Sequence, residues 1–196
     1  MKKILITLSL AAIVSSSQAQ GLINFFNSAS TLVTLSSNAV NIGSTPTTLG
    51  QFRYELFVAP QGTLTSGSFV SGGIIGTNQA AAGRFTGGAN AVVAGAPAGS
   101  TRAILVRGWS TSLGATFALA SANYNVLPGF LGESAIAPNF IFGGFDGVGT
   151  IPTSPAFSGT AISTGFSLVY APVPEPTSMA LAGIGAAAMV IFRRRK

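Results

Sequence analysis

Phe52-Arg53-Tyr54-Glu55-Leu56-Phe57-Val58-Ala59 places Phe52, Tyr54, Leu56 and Val58 at every second position, with Arg53, Glu55 and Phe57 between them. A period of two is the pattern of a half-buried strand, and Pro60 and Gly62 end it. Arg102 to Trp109 is a second such run. It sets Ile104 and Val106 on one face, with Ala103, Leu105, Arg107 and Trp109 on the other, and Gly108 predicts a bulge. Weaker strand candidates are Leu22 to Phe26, Thr31 to Leu35, Ser68 to Ile75, Ala91 to Ala94, Thr116 to Ala120, Asn139 to Phe142 and Phe166 to Tyr170. Links rich in glycine, proline, serine and threonine separate them. No stretch shows a capped amphipathic helical period; Leu113 to Ala122 comes nearest. Many short strands with turn signals between them predict an all-β fold, here a β-sandwich of jelly-roll type. A transmembrane β-barrel is the competing architecture, since alternation and glycine also fit it. Asp146 to Phe157 reads as a long loop, and there is no fixed-period repeat.

Charge is concentrated at the ends of the chain. The formal net charge is +6, yet Lys2, Lys3 and the four terminal cations lie outside the strand-forming region. Between Gly21 and Pro172, Arg53, Arg84, Arg102 and Arg107 face Glu55, Glu133 and Asp146, which leaves the body near neutrality. Nucleic acid is therefore not an expected partner, because the basic residues are not on the folded part. Low charge and all but one of the chain's 14 phenylalanines, Phe192 of the tail being the exception, also argue for a packed body over a disordered one. With no cysteine, that body must be held by apolar burial, and about 150 residues suffice for a core.

The two ends read as targeting segments. Residues 1–19 form a signal peptide for signal peptidase: Lys2 and Lys3 are its positive region, Ile4 to Val14 its apolar region, and Ser17-Gln18-Ala19 its small-x-small cleavage site. Residues 20–171 are the exported β-rich domain, and 172–196 a separate tail. In the tail Pro174, Glu175 and Pro176 come first. An uncharged stretch from Thr177 to Phe192 follows, and Arg193, Arg194, Arg195 and Lys196 close the chain. As a helix the uncharged stretch measures roughly 24 Å, short for a bilayer core of about 30 Å. Terminal arginines can snorkel to extend it, and four cations hold that end on the cytoplasmic side. A single C-terminal transmembrane helix over about 177–192 is the expectation. Its alanines and glycines offer a small-residue surface for a close helix contact.

This order of triplet, apolar stretch and basic end resembles the PEP-CTERM sorting signal of Gram-negative bacteria, read by the membrane-embedded protease exosortase. The resemblance implies a membrane-anchored precursor, transient or permanent, with exosortase as processing partner. Delivery to the cell envelope, outer surface or medium would follow. An ordinary C-terminal anchor is the simpler alternative, for which the triplet before the span would be coincidence.

Catalytic groups are scarce. The chain has no histidine, and its body has no lysine and three acids. Neither a metal site nor a cofactor is expected from that set. Glu133 with Asp146 is the one pair a glycosidase could draw on, and each reads more simply as a solvated or turn carboxylate. Gly143-Gly144-Phe145-Asp146-Gly147-Val148-Gly149 has one carboxylate and occurs once, so it reads as a turn and not as a calcium-binding repeat. Gly132-Glu133-Ser134-Ala135 lacks both the closing glycine and an activating histidine of a nucleophile elbow. Arg107 and Trp109, two residues apart on one strand face, remain as a candidate ligand surface for a sugar ring. The structural alternative is that Trp109 packs beneath a loop while Arg107 pairs with an acid. The expected function is a non-enzymatic exported envelope or extracellular-matrix protein; the alternative is a module binding glycan or exopolysaccharide, or an adhesin.

Overall fold

A computed structural model of the chain describes residues 20–37, 40–171, 182–185 and 189. The expected signal peptide, the Pro174-Glu175-Pro176 triplet and the basic end lie outside the described residues. So does most of the expected membrane helix: 182–185 and 189 are helical and exposed. Among the described residues no helix is long and apolar enough to cross a membrane.

The fold is all-β. Its strands are β1 (Gln20–Phe26), β2 (Thr34–Ser37), β3 (Val40–Ser44), β4 (Phe52–Pro60), β5 (Val70–Asn78), β6 (Phe85–Pro97), β7 (Thr101–Ser110), β8 (Gly129–Glu133), β9 (Ala137–Ile141), β10 (Gly144–Phe145), β11 (Thr150–Ile151) and β12 (Ser167–Ala171). Ten of them form one sheet in the order β1-β6-β5-β4-β7-β8-β12-β2-β3, with β9 added against the first half of β7. The strongest sequence signals make its centre: β4 and β7 pair antiparallel without interruption from Phe52↔Ser110 to Pro60↔Arg102.

The expected two-sheet sandwich is corrected to a single curled sheet. Where a jelly roll stacks two sheets, this one bends until distant parts hydrogen-bond. Leu22 on the free side of β1 exchanges two bonds with Gly143, just after β9 (2.9 and 3.0 Å). Asn24 of β1 bonds in the same way to Ser154 and Ala156. Pairing therefore runs in a circuit from β7 through β9 and β1 to β6, β5, β4 and back. On the other side Val33 and Thr45, themselves joined by a backbone bond, each bond to Gly83 and so tie the region around β2 and β3 to the β5–β6 turn. Buried Asn27 reinforces this seam, donating to the carbonyls of Thr31 and Gly83 and accepting from the Phe85 amide.

The curl encloses the main core: Ile23, Phe25, Tyr54, Leu56, Phe85, Ile104, Val106, Phe142, Phe157 and Leu168 are among its members. Tyr54 stacks on Phe85 at 4.3 Å, and Phe25 and Phe157 meet Phe85 edge-on. An interior filled with apolar side chains is the reverse of the polar lumen of a membrane barrel. Burial raises the Tyr54 phenol far above its ordinary pKa, with the neighbouring Thr45 hydroxyl offsetting only part of the rise.

Gly108 makes no bulge. A Cβ there would come within 2.9 Å of the Tyr54 ring and 3.0 Å of Leu168, so the glycine serves close packing. The same need explains Gly87, where a Cβ would strike the ring of Phe25.

Thr116 to Ala120 is not a strand. Thr116 caps helix α1 (Phe117–Asn123), its hydroxyl accepting from the Leu119 amide. Phe-Ala-Leu-Ala-Ser-Ala is rich in helix formers, which outweigh the single threonine. The expected long loop is in part ordered: Asp146 sits in the β10–β11 hairpin, and Ala156 and Phe157 belong to the core.

Candidate functional site

The outward face of the β4–β7 pair carries the residues singled out in the sequence. Register puts Glu55 opposite Arg107 and Arg53 opposite Trp109, and the pleat sends all four away from the main core. A 3₁₀ turn at Ser66–Ser68, helix α1 and a second 3₁₀ turn at Thr111–Leu113 lie over this face.

Arg107 is clamped on four sides. Its guanidinium lies 4.5 Å from the centroids of both the Phe57 and Phe117 rings. Nε donates to Glu133 Oε2 at 3.3 Å, and Nη2 donates to the Ser66 carbonyl at 2.7 Å. This is the one ion pair among the described residues, and Glu133 keeps 47% of its side chain exposed. Glu55 is buried, and its carboxylate accepts a hydrogen bond from the Ser71 hydroxyl.

Trp109 has no exposed surface. It packs with Leu113 and Ala120, meets the Phe117 ring at 6.0 Å, and donates from its indole nitrogen to the Gly114 carbonyl at 2.9 Å. The two side chains do share a face and both touch Phe117, but no ring is left for a sugar to stack on. The candidate ligand surface at Arg107 and Trp109 gives way to the structural alternative, with Trp109 packed and Arg107 paired with Glu133: a large aromatic side chain gains most from burial when its N–H finds a partner, and here it does.

The acids do not converge. Glu133 is engaged by Arg107, and Asp146 closes the β10–β11 hairpin by accepting the Val148 and Gly149 amides at 2.9 and 2.8 Å. Those two bonds, that to Gly149 first, hold the Asp146 carboxyl below the ordinary range. The hydroxyl of buried Ser134 accepts from the Val106 amide and donates to the Ala135 carbonyl. It is a strand-terminating contact. Among the described residues no three side chains of the metal-binding types cluster.

What distinguishes the chain is therefore its tail. Residues 172–196 match the family model of the PEP-CTERM protein-sorting motif. The chain carries that motif, and with it the address for exosortase-targeted, membrane-associated sorting. No curated protein and no solved structure matches the chain.

One surface feature escaped the sequence reading. At the end of the curled sheet where β4 begins and β12 finishes, Phe52, Ser110, Phe130 and Tyr170 stand side by side on neighbouring strands. Phe130 belongs to β8, whose Gly-Phe-Leu-Gly-Glu sequence lacks the alternation that marks a strand.

Proposed function

We propose that the protein is a non-enzymatic exported protein of the cell envelope or extracellular matrix, delivered by exosortase acting on its tail. The match of residues 172–196 to the sorting motif carries the reading. The body supports it in a second way. Its three carboxylates are spent on separate structural tasks, and the sequence holds no histidine or cysteine for catalysis. A curled sheet held by apolar packing and backbone bonds suits a passenger that must stay folded outside the cell without disulfides.

Processing at the triplet is tested by replacing Pro174, Glu175 and Pro176 with alanine and measuring intact masses in membrane and medium. A full-length, membrane-retained precursor is expected for the variant, against a shortened product for the parent. Indistinguishable masses would leave a plain anchor in place of an exosortase substrate.

A further inference from the structure

The row of Phe52, Ser110, Phe130 and Tyr170 lines a cleft of 310 Å³ at the mouth of the curled sheet, near the lower end of small-molecule sites. Its floor is aromatic, with the partly exposed Phe130 and Tyr170 rings set beside Phe52, which is itself buried in the main core. The Phe52 and Phe130 rings lie 6.1 Å apart and the Phe130 and Tyr170 rings 5.1 Å apart, both pairs tilted. Among the described residues its rim is polar and uncharged. The Gln51 carboxamide and the Tyr170 hydroxyl make no hydrogen bond among the described residues, although the Gln51 backbone carbonyl is taken by the Thr111 amide and hydroxyl. Ser110 Oγ accepts from the Phe130 amide at 2.9 Å, which leaves its own proton free to point into the cleft.

We propose that this cleft binds a neutral saccharide. Among the described residues no charged side chain lines it, so an ionic ligand would lose hydration without gaining a counter-charge from them. A purely apolar ligand would bury the Gln51, Ser110 and Tyr170 polar atoms without partners. A sugar ring meets both demands: its C–H face stacks on the aromatic floor while its hydroxyls exchange bonds with carboxamide and hydroxyl groups. Mouths of barrel-like sheets are recurrent ligand positions because the strand ends leave side chains there without further layers to pack against. The proposal is independent of sorting, since tail processing and saccharide binding are read by separate measurements.

The test uses the full chain reconstituted in lipid nanodiscs and titrated by saturation-transfer NMR. Cellotriose and maltotriose serve as neutral probes and trigalacturonic acid as the charged one. At least one neutral trisaccharide should bind, with trigalacturonic acid at least about tenfold weaker. Tyr170→Ala should weaken binding by about tenfold, as expected for loss of one stacking ring, and Tyr170→Phe by only a few-fold. Gln51→Ala alters an exposed side chain whose backbone alone is used in the fold, so it should lower affinity with an unchanged melting temperature. The proposal is overturned if no neutral probe binds, if the acidic probe binds as well, or if binding survives Gln51→Ala and Tyr170→Ala undiminished.

Discussion

Toward the interior, the β4–β7 pair presents Tyr54, Leu56, Val58, Ile104 and Val106; toward the outside it presents Glu55, Phe57, Leu105, Arg107 and Trp109. The first set is covered by the sheet itself, because the curl brings strands from both ends of the order around one continuous core. The second set has no sheet over it. It is covered in two small clusters by turns, by Phe69 and by the seven-residue helix α1. Burial by a closed sheet needs only apolar side chains of suitable size. Burial by short add-on segments also needs polar anchors, and there the arginine, the buried glutamate and the indole N–H are found.

If this division is right, damage on the inner face should be global and damage on the outer face partly local. Leu56→Ala removes a fully buried side chain from the large core and should cost about 3 to 5 kcal/mol, lowering the melting temperature of the exported protein by roughly 10 °C. Trp109→Ala empties a volume at least as large. Helix α1 and its flanking turns can collapse toward the gap, so a smaller cost of about 3 kcal/mol is expected. Hydrogen exchange should separate the two. Leu56→Ala should accelerate exchange across β1, β4, β6 and β7 together, whereas Trp109→Ala should accelerate it first in 111–124. Equal acceleration over the whole sheet in both variants would show that the outer cover is as integral as the core.

The same division decides what could be read from residue order. Alternation in β4 was legible because apolar side chains recur at every second position with Arg53 and Glu55 between them. That both faces are buried was not, since Phe57 and Trp109 look the same in sequence whether they meet a helix or solvent. The 13-residue β6 was visible only at Ala91–Ala94: its Gly-Gly-Ala-Asn stretch has no periodicity, because Gly87 answers to the Phe25 ring on another strand and Gly88 to a positive φ. The curl was hidden for a similar reason. It rests on backbone bonds of Leu22, Asn24, Val33 and Gly83, and backbone groups carry no residue-type signal. The tail was the opposite case, because a sorting signal is read as a linear order of residue types. The three aromatic side chains at the mouth come from β4, β8 and β12, far apart in the chain, so no spacing could announce them.

A smaller effect should separate charge from packing around Arg107. Glu133→Gln neutralises a half-exposed partner, and screening leaves such pairs worth under about 1 kcal/mol. Arg107→Met keeps most of the alkyl stem but removes the cation between Phe57 and Phe117 and the donor to Ser66. About 1 to 2 kcal/mol is expected. Thermal melts at low and high salt check this. The Glu133→Gln difference should shrink with salt while the Arg107→Met difference largely persists, because rings and a backbone carbonyl are not screened as a surface ion pair is. A Glu133→Gln cost equal to that of Arg107→Met would make the ion pair the dominant anchor.

The smallest effect belongs to a region outside both faces, the β10–β11 hairpin, where Asp146 is fully exposed yet holds two amides. A carboxyl whose folded pKa lies below its unfolded value of about 3.9 adds stability above that unfolded value. The contribution fades as pH falls through the lower folded value. The hairpin should therefore be insensitive to pH from 7 down to about 4 and loosen only below it. The amide resonances of Val148 and Gly149 report this directly, moving together with one acid midpoint beneath the ordinary aspartate value. Asp146→Asn keeps an oxygen that can accept both amides but cannot titrate, so the turn should survive and the acid transition at these two residues should vanish. A midpoint at or above the ordinary value in the parent would mean that the two amide bonds do not favour the charged form in solution. Because the turn around Asp146 lies beyond the bonds that anchor its two legs to β1, Leu22–Gly143 on one side and Asn24 with Ser154 and Ala156 on the other, its acid loosening should leave the resonances of Leu56 and Trp109 unmoved.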